Sequence, residues 1–201
     1  MSEAAAEVFG AQHPLITRYV DILSTQGVEW GLIGPREADR LWERHILNSV
    51  AVHELVPVGA EVVDVGSGAG LPGIPLAILR PDLAVTLVEP LLRRSNFLTQ
   101  AVDNLGISDR VRVVRSRAED HHEAYDVVLS RALAPLDRLI RWCAPLRRQD
   151  GAVLALKGSS AADEVQNSRQ ALAAAGLRAT VMLVRASAAS EPTTVVRMVS
   201  R

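Results

Sequence analysis

The sequence predicts an α/β protein whose sheet is parallel over most of its width and antiparallel at one end. Three observations lead there. From Glu61 onward, strand-like and helix-like segments alternate, which requires right-handed crossovers between parallel strands. The run Glu61-Val62-Val63-Asp64-Val65 is apolar on both faces and opens into Gly66, Gly68, Gly70 and Gly73, as a buried strand entering a tight turn would. The tail breaks the alternation, because 177–184 and 194–199 are both strand-like with no helix between them, and so predict a hairpin.

Taken in order, residues 1–13 are expected to be weakly ordered. Segment 14–25 predicts a short helix with Leu15, Tyr19, Ile22 and Leu23 on one face. Pro35 suits the first turn of a longer helix, with Glu37 and Asp39 near its positive end. Along that helix Ala38, Leu41, Trp42, His45, Ile46 and Ser49 form a buried stripe, flanked by Arg36, Arg40, Glu43 and Arg44. Pro57-Val58-Gly59 marks the change of pattern. Beyond it, strands are predicted at 61–65, 84–88, 111–115, 125–129 and 152–156, and helices at 74–79, 91–105, 136–146 and 161–175. Residues 1–201 thus read as a single domain, with a helical extension over 1–58 and a Rossmann-like core over 59–201.

Composition narrows the class. The formal net charge is −1, so no chain-wide basic field announces nucleic acid. Cys143 is the only cysteine, which excludes an internal disulfide and any multi-cysteine metal site; no spacing of the five histidines suggests a metal either. Cys143 itself falls on an apolar helix face and His121-His122 in a solvated loop. No apolar run is long enough to span a membrane, and the start lacks a cationic signal-peptide region, so a cytoplasmic protein is expected. Among 22 cationic side chains Lys157 is the one lysine. A lysine that survives such a bias toward arginine is one whose compact ammonium matters.

The glycine turn indicates a nucleotide-type cofactor. Gly68-Ala69-Gly70-Leu71-Pro72-Gly73 is a literal G-x-G-x-x-G, a pattern shared by nicotinamide, flavin and S-adenosylmethionine sites. Three features favour S-adenosylmethionine. Asp64 stands just before the turn, where a carboxylate can meet a methionine ammonium. Pro72 and Pro75 make a poor helix start for clamping a pyrophosphate. One nucleotide-binding half plus a hairpin leaves no room for a separate substrate domain. Gly66 and Gly68 then let the backbone approach the ligand. Glu89, 23 residues past Gly66 at the end of the second strand, is placed to accept from ribose hydroxyls. The backbone of Ala118 and Glu119, after the third strand, is placed at the adenine edge.

Missing motifs narrow the chemistry. The fourth strand ends in Leu129-Ser130-Arg131-Ala132 instead of the Asn/Asp-Pro-Pro-Tyr of aminomethyltransferases, and no Pro-Cys pair offers a thiol nucleophile. A site with neither base nor thiol suits an acceptor with a free lone pair, such as guanine N7, for which alignment supplies most of the acceleration.

Arg44-His45-Ile46-Leu47-Asn48-Ser49, Val63 through Leu76, Arg117-Ala118-Glu119, Ser130-Arg131-Ala132 and Ala155-Leu156-Lys157-Gly158 carry a resemblance. From about residue 14 to the C-terminus the chain resembles the bacterial ribosomal RNA small-subunit methyltransferase G family, also called glucose-inhibited division protein B. The resemblance implies a class I S-adenosylmethionine-dependent methyltransferase acting on N7 of a guanosine in the 530 loop of 16S ribosomal RNA. It places cofactor contacts on Gly66, Leu71, Ala118, Glu119 and Arg131. Many relatives carry Asp where this chain has Asn48. Arg44, His45, Arg117 and Lys157 are the RNA-contact candidates. Arg44, Arg117, Arg131 and Lys157 are expected to project toward the C-terminal edge of the strands or the preceding helix, and His45 is equally readable as a packed core histidine. A bidentate arginine on guanine O6 and N7 would block the reacting atom. Arg131 or Lys157 is therefore expected to take O6 or a phosphate and leave N7 open. The expected partner is 16S RNA or an assembling small subunit, in loop rather than duplex form, and the protein a monomer. A methyltransferase for a small molecule or a protein, a nicotinamide-dependent oxidoreductase and a non-catalytic cofactor-binding module are the competing readings.

Overall fold

A computed structural model describes residues 3–34, 37 and 40–201. The predicted helix start at Pro35 to Asp39 therefore lies, apart from Glu37, outside the described residues. Seven strands form one sheet: β1 (Glu61–Val65), β2 (Ala84–Val88), β3 (Val111–Val114), β4 (Tyr125–Arg131), β5 (Arg147–Lys157), β6 (Leu177–Val184) and β7 (Thr193–Ser200). Their order is β3-β2-β1-β4-β5-β7-β6. The first five run parallel, with Val63 opposite both Thr86 and Val128. The hairpin inserts its second strand, so β7 lies antiparallel to β5 and leaves β6 at the edge.

Alternation along the strands divides the core in two. Val62, Leu87, Leu129, Leu154 and Val195 face one cluster, shared with the N-terminal helices, α4 (Gly73–Leu79) and α5 (Leu92–Leu105). Val63, Val65, Val128, Val153 and Val196 face the other, closed by α6 (Leu136–Cys143), α7 (Ala161–Asn167) and α8 (Arg169–Ala174). The N-terminal helices α1 (Glu3–Phe9) and α2 (His13–Ile22) contribute Ala5, Phe9, Ile16 and Tyr19 to the first cluster. The chain continues from α2 into a π-helical segment, Leu23–Gly27. A second π-helical segment, Leu41–Leu47, leads into α3 (Asn48–Val50).

Four expectations are corrected. Residues 3–9 are helical, because Ala5 and Phe9 find a buried surface that a window of local sequence does not contain. The 161–175 helix is two, broken at Ser168, a residue type whose hydroxyl competes with helical backbone bonding. The 136–146 helix tightens to a 3₁₀ turn over Ala144–Leu146, where Pro145 cannot donate. His121 is buried rather than solvated, stacked on Tyr125 with Nε2 2.8 Å from its hydroxyl. Cys143, by contrast, is wholly buried as expected, and burial pushes its thiol up to about 12, out of reach of thiolate chemistry.

Candidate functional site

The turn after β1 is shaped by its backbone. Gly66 has φ +72°, and a Cβ there would stand 2.4 Å from Leu133 Cδ1. Gly70 has φ +95°, and a Cβ would meet Ile74 Cδ1 at 2.5 Å and the Tyr19 hydroxyl at 2.9 Å. Both positions therefore combine a left-handed backbone with a crowded neighbour, which only glycine tolerates. The N–H groups of Gly66 and Ser67 bond to the Val88 carbonyl at 2.8 and 3.2 Å, tying the turn to β2. Tyr19, from α2, donates its hydroxyl to the Ala69 carbonyl at 2.6 Å and braces the turn from outside the core sheet. Helical spacing marks Tyr19 only as a member of an apolar stripe; its polar end has no local signature.

Two buried carboxylates complete the turn. Glu89 is 2% exposed, and its Oε2 and Oε1 accept from the Gly68 and Leu91 N–H groups, each at 3.0 Å. Asp64 is wholly buried; Oδ2 accepts from the Gly73 N–H at 3.0 Å, while Oδ1 has no hydrogen-bond partner. Burial pushes the Asp64 carboxyl up to about 7 against the opposing pull of that bond. A cation donating to Oδ1 would reverse the shift.

Three cavities with shared lining residues lie along this turn. The first, of about 250 Å³, is lined by Gly66, Val88, Pro90, Ala118, Leu133 and Trp142, with Arg117 and Glu119 at its rim. Ala118–Asp120 forms a 3₁₀ turn there, and among the described residues nothing occupies the N–H groups of Ala118 and Glu119. Gly66 also lines the second cavity, of about 220 Å³, with Gly68, Leu71, Arg94 and Arg131. His45, Arg131 and Ala132 are shared between the second and the third, of about 350 Å³, which Arg44, Asn48, Lys157 and Gly158 complete. Ala132, at the junction, has φ +50°, a strained conformation for a residue with a Cβ.

Arg131 is the hinge of this arrangement. It ends β4, and its guanidinium donates from Nη2 to His45 Nδ1 at 2.8 Å and from Nη1 to Asn48 Oδ1 at 3.2 Å. Asn48 in turn donates to Thr193 Oγ1 at 2.8 Å, so β4, β7 and the N-terminal helices meet at one side chain. His45 Nε2 lies 3.0 Å from Glu37 Oε2, and Arg44 pairs with the same carboxylate at 3.1 Å.

The predicted cations are not all together. Arg44, His45 and Lys157 line the third cavity, but Arg117 lines the first, apart from them. Lys157 is also less free than expected, since Nζ donates to the Ala134 carbonyl and to Glu164 Oε2, both at 2.7 Å. Sequence reading missed Glu37, Leu133, Trp142 and Arg94 as lining or supporting residues, because nothing in their spacing ties them to the glycine turn. A larger cavity of about 810 Å³ between α6 and α8 touches none of the predicted site residues.

Comparison with known proteins identifies the fold and the family. Among solved structures, an O-methyltransferase from neocarzinostatin biosynthesis, in complex with S-adenosylmethionine and 2-hydroxy-5-methyl naphthoic acid, superposes with a TM-score of 0.64 at 18% identity. The overlap covers 83% of this chain and 55% of that one. A ribosomal protein L11 methylase from Lactobacillus delbrueckii subsp. bulgaricus gives 0.61 at 17% identity over 77% of each chain. These likenesses establish the fold as that of class I S-adenosylmethionine-dependent methyltransferases. Ribosomal RNA small subunit methyltransferase G of Mycolicibacterium paratuberculosis is 55% identical over 179 residues, covering 87% of this chain and 71% of its own. The protein of the same name from Thermobifida fusca is 55% identical over 174 residues, 86% of this chain and 73% of its own. The family model described as GidB, rRNA small subunit methyltransferase G, matches residues 12–191, and the chain belongs to that family.

Proposed function

We propose that this protein transfers a methyl group from S-adenosylmethionine to N7 of a guanosine in the 530 loop of 16S ribosomal RNA. The observation that carries the reading is the occupied imidazole at the junction of donor and acceptor cavities. His45 Nδ1 already accepts from Arg131, and the other polar side chains lining the third cavity are Arg44, Asn48, Arg131 and Lys157. Among the described residues this cavity therefore offers no free general base. Guanine N7 needs none, whereas an exocyclic amine or a hydroxyl must lose a proton.

The residues present fit the donor. Gly66 lines the first two cavities, where a Cβ would collide with Leu133. Asp64 Oδ1 lacks a partner. Ala118 and Glu119 line the first cavity, and among the described residues their N–H groups have no partner. In this assignment Ala118 and Glu119 hold the adenine, Glu89 the ribose, Gly66, Gly68 and Leu71 the turn between adenosine and methionine, and Asp64 answers the ammonium. When bound, the donor supplies a methyl carbon made electrophilic by its sulfonium. Arg131 then borders both ligands and orients the acceptor.

For the RNA, Arg44 is the exchangeable cation. Its side chain is 56% exposed and its pair with Glu37 is a solvent-screened surface ion pair, so a phosphate can displace it. Lys157 and Glu164 are only 10% and 25% exposed, and breaking that pair would strand a charge in a largely dry site. Lys157 accordingly holds the Ala134 backbone in place, while Arg117 serves the donor's rim. No helix among the described residues is long and apolar enough to cross a membrane. We read the protein as a cytoplasmic monomer.

The test is methyl transfer from labelled S-adenosylmethionine to small subunits, assembly intermediates and naked 16S RNA from cells lacking this enzyme. The product is mapped by chemical cleavage at 7-methylguanosine. One cleavage in the 530 loop is expected. Label on an exocyclic nitrogen, or none on any of the three substrates, would remove the reading. Thermal stabilisation by S-adenosylhomocysteine but not by NAD separates it from the oxidoreductase alternative.

A further inference from the structure

His45 is fixed in one chemical state by its neighbours. Arginine donates and never accepts, so the 2.8 Å contact from Arg131 Nη2 requires a bare lone pair on His45 Nδ1. The remaining proton is then on Nε2, which faces Glu37 Oε2 at 3.0 Å and donates to it. The imidazole is a neutral connector between a carboxylate on one side and a guanidinium on the other. Its side chain is 15% exposed and lines both the second and the third cavity.

We propose that His45 is a positioning residue for methyl transfer, accepting from Arg131 as a neutral imidazole and so holding the guanidinium at the wall between donor and acceptor. The kinetic consequence rests on the guanine-N7 reading, though the hydrogen bond itself does not. Asn48 alone cannot replace it. Without His45 only Nη1 stays bonded, to Asn48 Oδ1 at 3.2 Å and to the Arg44 carbonyl at 3.4 Å, so the guanidinium keeps one anchored arm, can swing about it, and loses orientation at the reacting centre.

Among the described residues the charged groups facing His45 are Glu37, Arg44 beside it, Arg131 from β4, and Arg94, which lines the same second cavity. Burial, Arg131 and Arg44 all disfavour the imidazolium, and Glu37 favours it; the net direction is below the ordinary histidine range. Acid would therefore convert Nδ1 from acceptor to donor and break the contact with Arg131. Methyl transfer should fall on the acid side, at a pH below that of an unperturbed histidine.

The experiment compares wild type with His45→Phe and His45→Asn. The asparagine carbonyl can occupy roughly the place of Nδ1, and phenylalanine keeps only the ring. His45→Phe is expected to lower kcat about 10- to 100-fold while the KM for S-adenosylmethionine stays within about threefold. His45→Asn should recover most of the lost rate and lack the acid limb of the wild-type pH profile. In parallel, ¹⁵N spectra of the ring should show the Nε2–H tautomer in wild type at neutral pH. In Arg131→Ala the ring should become imidazolium at a higher pH than in wild type, because the guanidinium no longer opposes it while Glu37 still favours it. If both variants unfold at the wild-type temperature but His45→Asn is as slow as His45→Phe, the proposal is wrong. An Nδ1–H tautomer or an imidazolium at neutral pH overturns it as well. The spectra need no RNA, so they judge the His45–Arg131 bond even if the wild-type enzyme fails to modify 16S RNA and the substrate reading is lost.

Discussion

The two halves of the cleft are built from different materials. Around Gly66 the walls are main chain: a left-handed turn, N–H groups aimed at Val88 and Glu89, and a 3₁₀ turn at Ala118. Around Arg131 they are side chains brought from far apart, with His45 86 residues away and Asn48 bonded to Thr193 across 145. A backbone cradle recognises a constant ligand and demands glycine at fixed spacing. A side-chain cluster adjusts to a particular acceptor and leaves no spacing rule behind. On that contrast, changes in the second half should damage turnover and spare donor binding, and changes in the first should do the reverse.

The sharpest break would come from Arg131→Lys. An ammonium keeps the charge but cannot bridge His45 Nδ1 and Asn48 Oδ1 at once, because it lacks the planar fork. A fall in kcat of about 100-fold, roughly 2.7 kcal/mol, is expected, with S-adenosylhomocysteine affinity by calorimetry changed by no more than about threefold. Equal losses in affinity and turnover would place Arg131 in the donor half and erase the division.

The next largest effect lies in the donor half and is read as stability against pH. Asp64, ordinarily near 3.8, is raised to about 7 by burial when folded. A raised carboxyl binds its proton more tightly in the native state, so its contribution is full below about 4 and is lost as pH rises to about 7. Above that, the free protein keeps Asp64 ionised against its burial, a cost that a neutral side chain escapes. Asp64→Asn retains an acceptor for Gly73 without the charge. The variant's thermal midpoint should gain on wild type as pH rises from about 4 to about 7, and its S-adenosylhomocysteine affinity should drop. A midpoint difference independent of pH would show that the site holds Asp64 ionised without a ligand.

Legibility in the sequence follows the same division. Strands 61–65, 84–88 and 177–184 came out with the bounds the structure has, since burial on one or both faces writes itself into short runs of valine and leucine. The glycine turn was legible because φ > 0 and close approach leave glycine no substitute at Gly66 and Gly70. The order of β6 and β7 was not, as either strand of a hairpin can join a sheet edge. Nor was the helix at Glu3–Phe9, whose stability comes from the tertiary surface receiving Phe9. Lys157 stood out by composition alone; that its ammonium holds Ala134 and Glu164 depends on partners 23 and 7 residues away.

Tyr19→Phe probes where the N-terminal helices meet the donor half. Removing the hydroxyl leaves the Ala69 carbonyl buried without its 2.6 Å donor, at a cost of about 1–2 kcal/mol. Chemical denaturation should report that loss, with donor affinity weakened several-fold because the turn loses its outer brace. Unchanged donor affinity beside the expected destabilisation would make α2 a packing element alone.

Asn48→Asp is the mildest change and the most discriminating for the acceptor half. The amide now accepts from Arg131 with its oxygen and donates to Thr193 with its nitrogen. A carboxylate strengthens the first contact through charge and forces the Thr193 hydroxyl to turn and donate instead. Since a threonine hydroxyl can do either, little is lost, and the two changes nearly offset. Turnover should move by less than about threefold in either direction, about 0.6 kcal/mol at most. The shift that matters is elsewhere: a second anion beside Arg131 raises the cost of swinging the guanidinium away. His45→Phe should then do less harm when combined with Asn48→Asp than it does alone. A double-mutant cycle in which the two changes simply add would mean that His45 and Asn48 hold Arg131 independently rather than as one clamp.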